Sequence, residues 1–259
     1  MTKRVTVFAY GVASYVLFVL TYLYAIGFIG NTLVPKSLDS AARMPFWPAL
    51  AIDTLLLALF AAQHSVMARP AFKRVLTRFI PPPAERSTYV LCSSLALIAL
   101  FAFWQPLGGV IWNVTDPLAR DAMNSLCYFG FGLVLITTFL LNHFDLFGLR
   151  QVSLYLAGRR YTPLEFRTPM LYRYMRHPLY VGWMIAFWAT PTMTGAHLLF
   201  ALLASAYMLL AIRWEERDLI AVHGAQYENY RQQVPKLVPS LVPYRGPDEA
   251  AAPSQRAAA

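Results

Sequence analysis

Residues 179–212 read "LYVGWMIAFWATPTMTGAHLLFALLASAYMLLAI" and contain no Asp, Glu, Lys or Arg. The run is too long for a single helix across a bilayer, which needs about 20 apolar residues. It is interrupted at "TPTMTGAH" (190–197), where Pro191 and Gly195 signal a turn. The stretch therefore predicts a tight helical hairpin, with a short helix over 178–190 and a second from 196 to about 214. A hairpin this apolar belongs in a membrane.

The rest of the chain agrees. Four more stretches have the length and composition of spans, at 5–29, 46–67, 88–104 and 122–143. The 259-residue chain is 58% hydrophobic and only 14% charged, whereas a soluble domain carries roughly a quarter charged residues. The sequence thus predicts an all-α integral membrane protein of five to six transmembrane helices, ending in a short hairpin. Three regions are expected: a four-helix part over 1–143, a module holding the hairpin over 144–243, and a disordered tail over 244–259. "MTKR" resembles the start of a signal peptide. The apolar run behind it is longer than a signal core, and no small-residue cleavage site follows, so the first segment is expected to stay as a helix.

The formal net charge of +9 is distributed at span ends rather than gathered in one run, which argues against a nucleic-acid partner. With the N-terminus inside, inner segments hold nineteen Lys and Arg residues and outer segments only three, Lys36, Arg43 and Arg120. Both termini are expected in the cytoplasm. Cys92 and Cys127 stand alone inside apolar runs, without the paired spacing of a metal or redox motif. No HExxH pattern and no glycine-rich phosphate loop occurs, so neither a zinc hydrolase nor a Rossmann nicotinamide site is expected.

This topology brings distant polar residues to one inner layer. Gln63 and His64 end the second span, Asn142, His143 and Asp145 end the fourth, and His177 and Pro178 open the hairpin. Glu215 and Glu216 return at its far end. Ionisable groups at membrane depth are costly and mark function when they converge in a bundle. Pro178 suits the first turn of a helix, and Gly182 permits close approach by a ligand or a helix. Asp53 lies nearer the outer side and is assigned no role. A transporter or assembly protein is the non-enzymatic alternative, but no internal repeat of broken helices supports it.

"RHPLYVGW" (176–183), "EERDL" (215–219) and "GAQYENYRQQVP" (224–235) occur in the order seen in the isoprenylcysteine carboxyl methyltransferase superfamily of integral membrane methyltransferases. The match covers about 165–243, and the same module also occurs in membrane sterol reductases. "NHFDLFGLRQ" (142–151), "TPLEFRTPMLYRYMRHP" (162–178) and "WATPTMTGAHLLFA" (188–201) extend the likeness across most of the chain. These resemble the methanethiol S-methyltransferase family of the NnrU-like branch. The resemblance implies a bacterial inner-membrane enzyme that moves a methyl group from S-adenosyl-L-methionine to methanethiol, giving dimethyl sulfide. A prenylcysteine or lipid acceptor is the alternative within the superfamily.

Carried over residue by residue, Arg176, His177, Pro178, Tyr180 and Gly182 match the first cofactor motif. Glu215 and Glu216 match the carboxylate pair, and Tyr227 and Tyr230 the aromatic motif expected to close over the cofactor. Attack by sulfur requires the thiol to lose its proton. His64 and His143 are the candidate bases, with Asn142 and Gln63 as orienting groups, and no metal is needed. Trp183, Phe187, Trp188 and Met193 are candidates to line a small apolar substrate site. Membrane lipids are the expected surroundings, and the sequence specifies no oligomeric state.

Overall fold

The computed structural model describes residues 1–246. Residues 247–259, most of the expected tail, lie outside the described residues. Tyr244, near the start of that expected tail, is instead buried; its backbone N–H donates to the Arg173 carbonyl at 2.8 Å and its ring packs edge-on against Tyr230.

Five helices are long and apolar enough to cross a membrane: α1 (Thr2–Gly30), α2 (Phe46–Ala68), α4 (Glu85–Phe103), α5 (Pro117–Leu141) and α9 (Gly195–His223). Their outer faces leave Leu20, Leu23, Leu55, Leu59, Phe129 and Ile136 exposed, as lipid contact requires. The short helices α3 (Pro70–Leu76), α6 (His143–Leu146), α7 (Leu149–Leu156) and α10 (Ala225–Gln233) flank the spans. The first helix of the hairpin is α8 (Pro178–Trp188). Its 11 residues rise only about 16 Å, roughly half a bilayer core.

The chain after α8 is extended. The predicted turn becomes a strand, β2 (Thr192–Thr194), which pairs antiparallel with β1 (Val110–Asn113) from the loop between α4 and α5. That pairing gives the non-helical backbone partners, which a membrane setting demands. Asp39 joins the same end to the loop after α1. It accepts from Thr194 Oγ1 and stands 3.0 Å from His197 Nδ1, while His197 Nε2 donates to the Phe187 carbonyl at 2.9 Å. Asp53 also has a local task there: its Oδ1 accepts from the Gln105 backbone N–H at 2.7 Å, just beyond α4.

The hairpin is packed into the bundle rather than appended to it, since α8 lies along α5 in the most extensive helix contact of the protein. Gly130 and Gly182 make that approach possible. A Cβ on Gly130 would stand 2.7 Å from the Gly182 carbonyl oxygen, and one on Gly182 would stand 2.8 Å from that of Gly130. Around this seam Phe131, Trp183, Phe187 and Phe200 interlock with Phe28, Phe101 and Trp104 of α1 and α4. Trp183 and Phe187 are therefore core residues. Met193 is fully buried in β2, and Trp188 faces outward with its indole N–H on Ser205.

The second difference from expectation concerns length. α9 was expected to stop near 214 but continues to His223. Glu215 and Glu216 therefore project from within α9, two turns before its end.

Candidate active site

The site begins with the residue before Pro178. Proline at the first helical position fixes where α8 starts, and His177, just ahead of it, is turned toward α9. His177 Nε2 lies 3.0 Å from Glu216 Oε1, and the Arg176 guanidinium reaches the same oxygen at 2.9 Å. Arg176 Nη1 donates to the carbonyls of Arg231 and Val234, the latter at 2.9 Å. The backbone N–H groups of Arg176 and His177 donate to Pro235 and Lys236 at 3.0 and 3.1 Å. One short segment thus joins α8, α9 and the chain after α10.

The two carboxylates do different things. Successive residues on a helix point about 100° apart, and the two meet His177 differently: Glu216 Oε1 lies 3.0 Å from Nε2, and Glu215 Oε2 only 3.9 Å from Nδ1. The Glu216 side chain is only 10% exposed and holds two cationic or donor partners. The Glu215 side chain is 45% exposed. Its Oε2 accepts from the Tyr180 hydroxyl at 2.9 Å, and among the described residues Oε1 has no partner. Glu216 closes the internal lock, and Glu215 presents a free carboxylate oxygen beside a hydroxyl and an imidazole.

Tyr227 and Tyr230 are both buried in an aromatic cluster with Phe166 and Tyr244. The Tyr230 hydroxyl donates to the Tyr172 carbonyl at 2.5 Å. Burial pushes both phenols above their ordinary pKa, with the Glu216 charge adding to the shift at Tyr227. They support the Arg176 segment from below. Gly182 faces Gly130, so the structure gives it a helix-packing role.

The two histidines expected at one level prove to belong to different neighbourhoods. His143 is buried against α1 and α5. Thr138 donates its only hydroxyl proton to the Leu135 carbonyl at 2.6 Å, so it must accept from His143 Nδ1–H at 2.8 Å. Nε2 is then the acceptor for the Tyr15 hydroxyl, also at 2.8 Å. Burial lowers the pKa of His143, in keeping with that neutral tautomer. Asn142 adopts φ 110° at the junction of α5 and α6, and its side chain accepts from the Asp145 backbone N–H. Both residues shape the turn after α5.

His64 is placed otherwise. It is half-buried on α2, with the Tyr89 hydroxyl 2.7 Å from Nε2 and Ser93 Oγ 3.2 Å from Nδ1. Gln63 reaches the same Ser93 at 3.4 Å. Tyr207, on α9 eight residues before Glu215, bonds Ser65 of α2 at 2.9 Å. The His64–Tyr89 pair thus ties the inner end of α2 to the start of α4.

Methanethiol S-methyltransferase from Crocosphaera subtropica is 56% identical to this chain, over 92% of the chain and 94% of that protein. The protein of the same name from Mycobacterium tuberculosis is 49% identical, over 92% of the chain and 97% of its own length. The chain belongs to the methanethiol S-methyltransferase family. Nurim from Xenopus laevis is a more distant relative, 30% identical over 71% of this chain and 68% of that protein. No family model matches the chain, and no solved structure is similar to it.

For this methyltransferase-family member, the residues that sequence reading overlooked are Tyr89, Ser93 and Tyr207. A signal existed for two of them. Tyr89 opens α4 at the level where His64 closes α2, and Tyr207 precedes Glu215 by eight residues, about two turns of one helix.

Proposed function

We propose that this protein methylates methanethiol to dimethyl sulfide, using S-adenosyl-L-methionine bound at the cytoplasmic ends of α8 and α9 in a bacterial inner membrane. The reaction rests on the relatives named for it, at 56% and 49% identity over almost the whole chain. The cytoplasmic side rests on the nineteen-to-three distribution of Lys and Arg.

The chemistry of the donor set suits that cofactor. A sulfonium group is cationic and its amino-acid and ribose parts carry N–H and O–H donors, so it requires exposed acceptors of negative charge. Glu215 is the group of this kind, with one oxygen free and the other held by Tyr180. Glu215, Tyr180 and His177 would hold it, with Glu216 and Arg176 fixing them in place. When bound, it would supply an electrophilic methyl for in-line displacement by a thiolate.

The chain's own work is deprotonation and placement. A neutral thiol is a poor nucleophile, and His64 is the base: its imidazole is only half-buried and is oriented by Tyr89 and Ser93, whereas that of His143 is buried between Tyr15 and Thr138. His64 would take the thiol proton onto its imidazole and leave the sulfur as the thiolate. Tyr89 keeps the ring oriented. Holding sulfur and methyl in line contributes the remaining acceleration. His143, buried and fixed between α1 and α5, serves the fold.

The test is headspace gas chromatography on the purified protein in detergent, supplied with methanethiol and S-adenosyl-L-methionine. Dimethyl sulfide formed by the parent and lost in Glu215→Ala supports the reading. Cofactor binding without dimethyl sulfide would move the acceptor to a prenylcysteine or lipid, and neither result in a folded sample would refute the reading.

A further inference from the structure

A cavity of about 660 Å3 opens where α3, the start of α4, α7 and the 157–161 loop meet, and the proposed methyl-transfer chemistry does not use it. Its lining includes Lys73, Glu85, Arg86, Gln151, Arg159 and Arg160. The charges do not balance. Lys73 is offset by Glu85 at 3.8 Å, and Asp145, also in the lining, by Arg150 at 2.8 Å, whereas among the described residues no carboxylate pairs with Arg86, Arg159 or Arg160. Arg86 is held in place by its Nε–H bond to the Leu146 carbonyl, 2.7 Å, and by the Tyr89 ring beneath its guanidinium.

The same lining carries the opposite need. Glu85 Oε1 and Gln151 Oε1 are both buried without a hydrogen-bond partner. The Gln151 amide cannot be turned to relieve this, because its NH2 already donates to the Asp145 carbonyl at 3.0 Å. Buried acceptors left unpaired are expensive. Three guanidiniums without a paired carboxylate therefore stand beside two buried oxygens that accept no hydrogen bond, Glu85 Oε1 having only the Lys73 charge at 3.8 Å.

The level in the membrane adds a third observation. α3 follows directly on the end of α2, and the Pro82–Pro83 turn directly precedes α4. Beside this cavity Val75 and Phe79 are exposed, Phe79 by 82%, with Arg74 and Arg78 between and beside them. Apolar side chains alternating with arginines at a span end suit the headgroup boundary.

We propose that this cavity binds an anionic phosphate ester carrying free hydroxyls, with Arg86, Arg159 and Arg160 on the phosphate and Glu85 and Gln151 accepting from the hydroxyls. Guanidinium forks match phosphate oxygens, and the hydroxyls supply the missing donors. Such a group occurs as a glycerol-bearing phospholipid headgroup and as a soluble sugar or glycerol phosphate.

The test uses the full chain in detergent, titrated with dioctanoyl phosphatidylglycerol, dioctanoyl phosphatidylcholine and glycerol 3-phosphate while thermal unfolding is followed. Phosphatidylglycerol should raise the melting temperature saturably, and phosphatidylcholine, which has no headgroup hydroxyl, should not. Glycerol 3-phosphate acting equally well identifies a soluble ester as the source, and its failure identifies the lipid. The double variant R159A/R160A, whose side chains are exposed, should bind phosphatidylglycerol about ten-fold more weakly. Its S-adenosyl-L-methionine affinity and dimethyl sulfide production should stay at the parent level. Equal responses to both lipids, or undiminished binding by the double variant, would overturn the proposal. So would loss of S-adenosyl-L-methionine binding in that variant, since the cavity would then belong to the methyl-donor site.

Discussion

The unequal burial of Glu215 and Glu216 makes a prediction in which stability and binding separate. Glu216→Gln keeps an acceptor for Arg176 and His177 but removes the charge from a pair whose side chains are only 9% and 10% exposed. Removing one partner of a buried ion pair costs about 3–5 kcal/mol, and retention of the amide oxygen favours the lower end, about 3 kcal/mol. For a chain of this size each kcal/mol shifts the midpoint by about 2–4 °C, so melting should fall by roughly 6–12 °C. Glu215→Gln behaves differently. Its side chain is half exposed and its bond from Tyr180 can persist to an amide oxygen, so the cost is under about 1 kcal/mol and melting moves by less than about 4 °C. Its affinity for S-adenosyl-L-methionine should nevertheless drop at least about ten-fold, because the free negative oxygen is gone. Scanning fluorimetry and titration calorimetry on both variants decide the matter. If Glu215→Gln melts as early as Glu216→Gln, or keeps the parent's affinity, the assignment of a lock and a ligand-facing carboxylate is refuted.

Tyr89→Phe removes the hydroxyl beside His64 and should lower kcat for dimethyl sulfide formation about ten-fold or more, with S-adenosyl-L-methionine affinity unchanged in calorimetry. Gly130→Ala places a methyl group 2.7 Å from backbone atoms of α8, so about 1–3 kcal/mol of overpacking should appear as early melting and broadened size-exclusion profiles. His143 has a pKa lowered by burial, so the unfolded chain takes up its proton first as pH falls. Its contribution to stability is full above about pH 6.5 and is lost below it. The melting temperature of the parent should therefore fall more steeply between pH 6.5 and 5 than that of His143→Gln.

Much of this architecture was legible because lipid imposes it. Long apolar runs have few alternatives to spanning helices, and the motif around Arg176 and the Glu215–Glu216 pair stood out as polar groups at the ends of such runs. The length of α9 was harder to read. "RWEERDLIAVH" (213–223) is polar enough to look like the end of a helix, yet it continues the rod because Glu216 finds Arg176 and His177 in a segment 40 residues earlier. The β1–β2 pairing was illegible for a similar reason. Four residues and three residues carry little strand signal, and their partnership spans some 80 positions.

The separation of His64 from His143 exposes the general limit. Counting residues from a span's end gives depth, and both histidines do lie near the ends of descending helices. Depth says nothing about which way a side chain points. In a soluble helix the polar face supplies that direction, but a membrane helix is apolar toward lipid and apolar toward its neighbours. Azimuth is then set by a few specific contacts: Thr138 and Tyr15 turn His143 into the α1–α5 junction, and Tyr89 and Ser93 turn His64 toward α4. The carboxylate pair is the exception. Adjacency on one helix sets the two side chains about 100° apart, so with one buried against Arg176 the other sits at the more exposed edge of His177. That division follows from helix geometry alone once α9 is known to run through both residues.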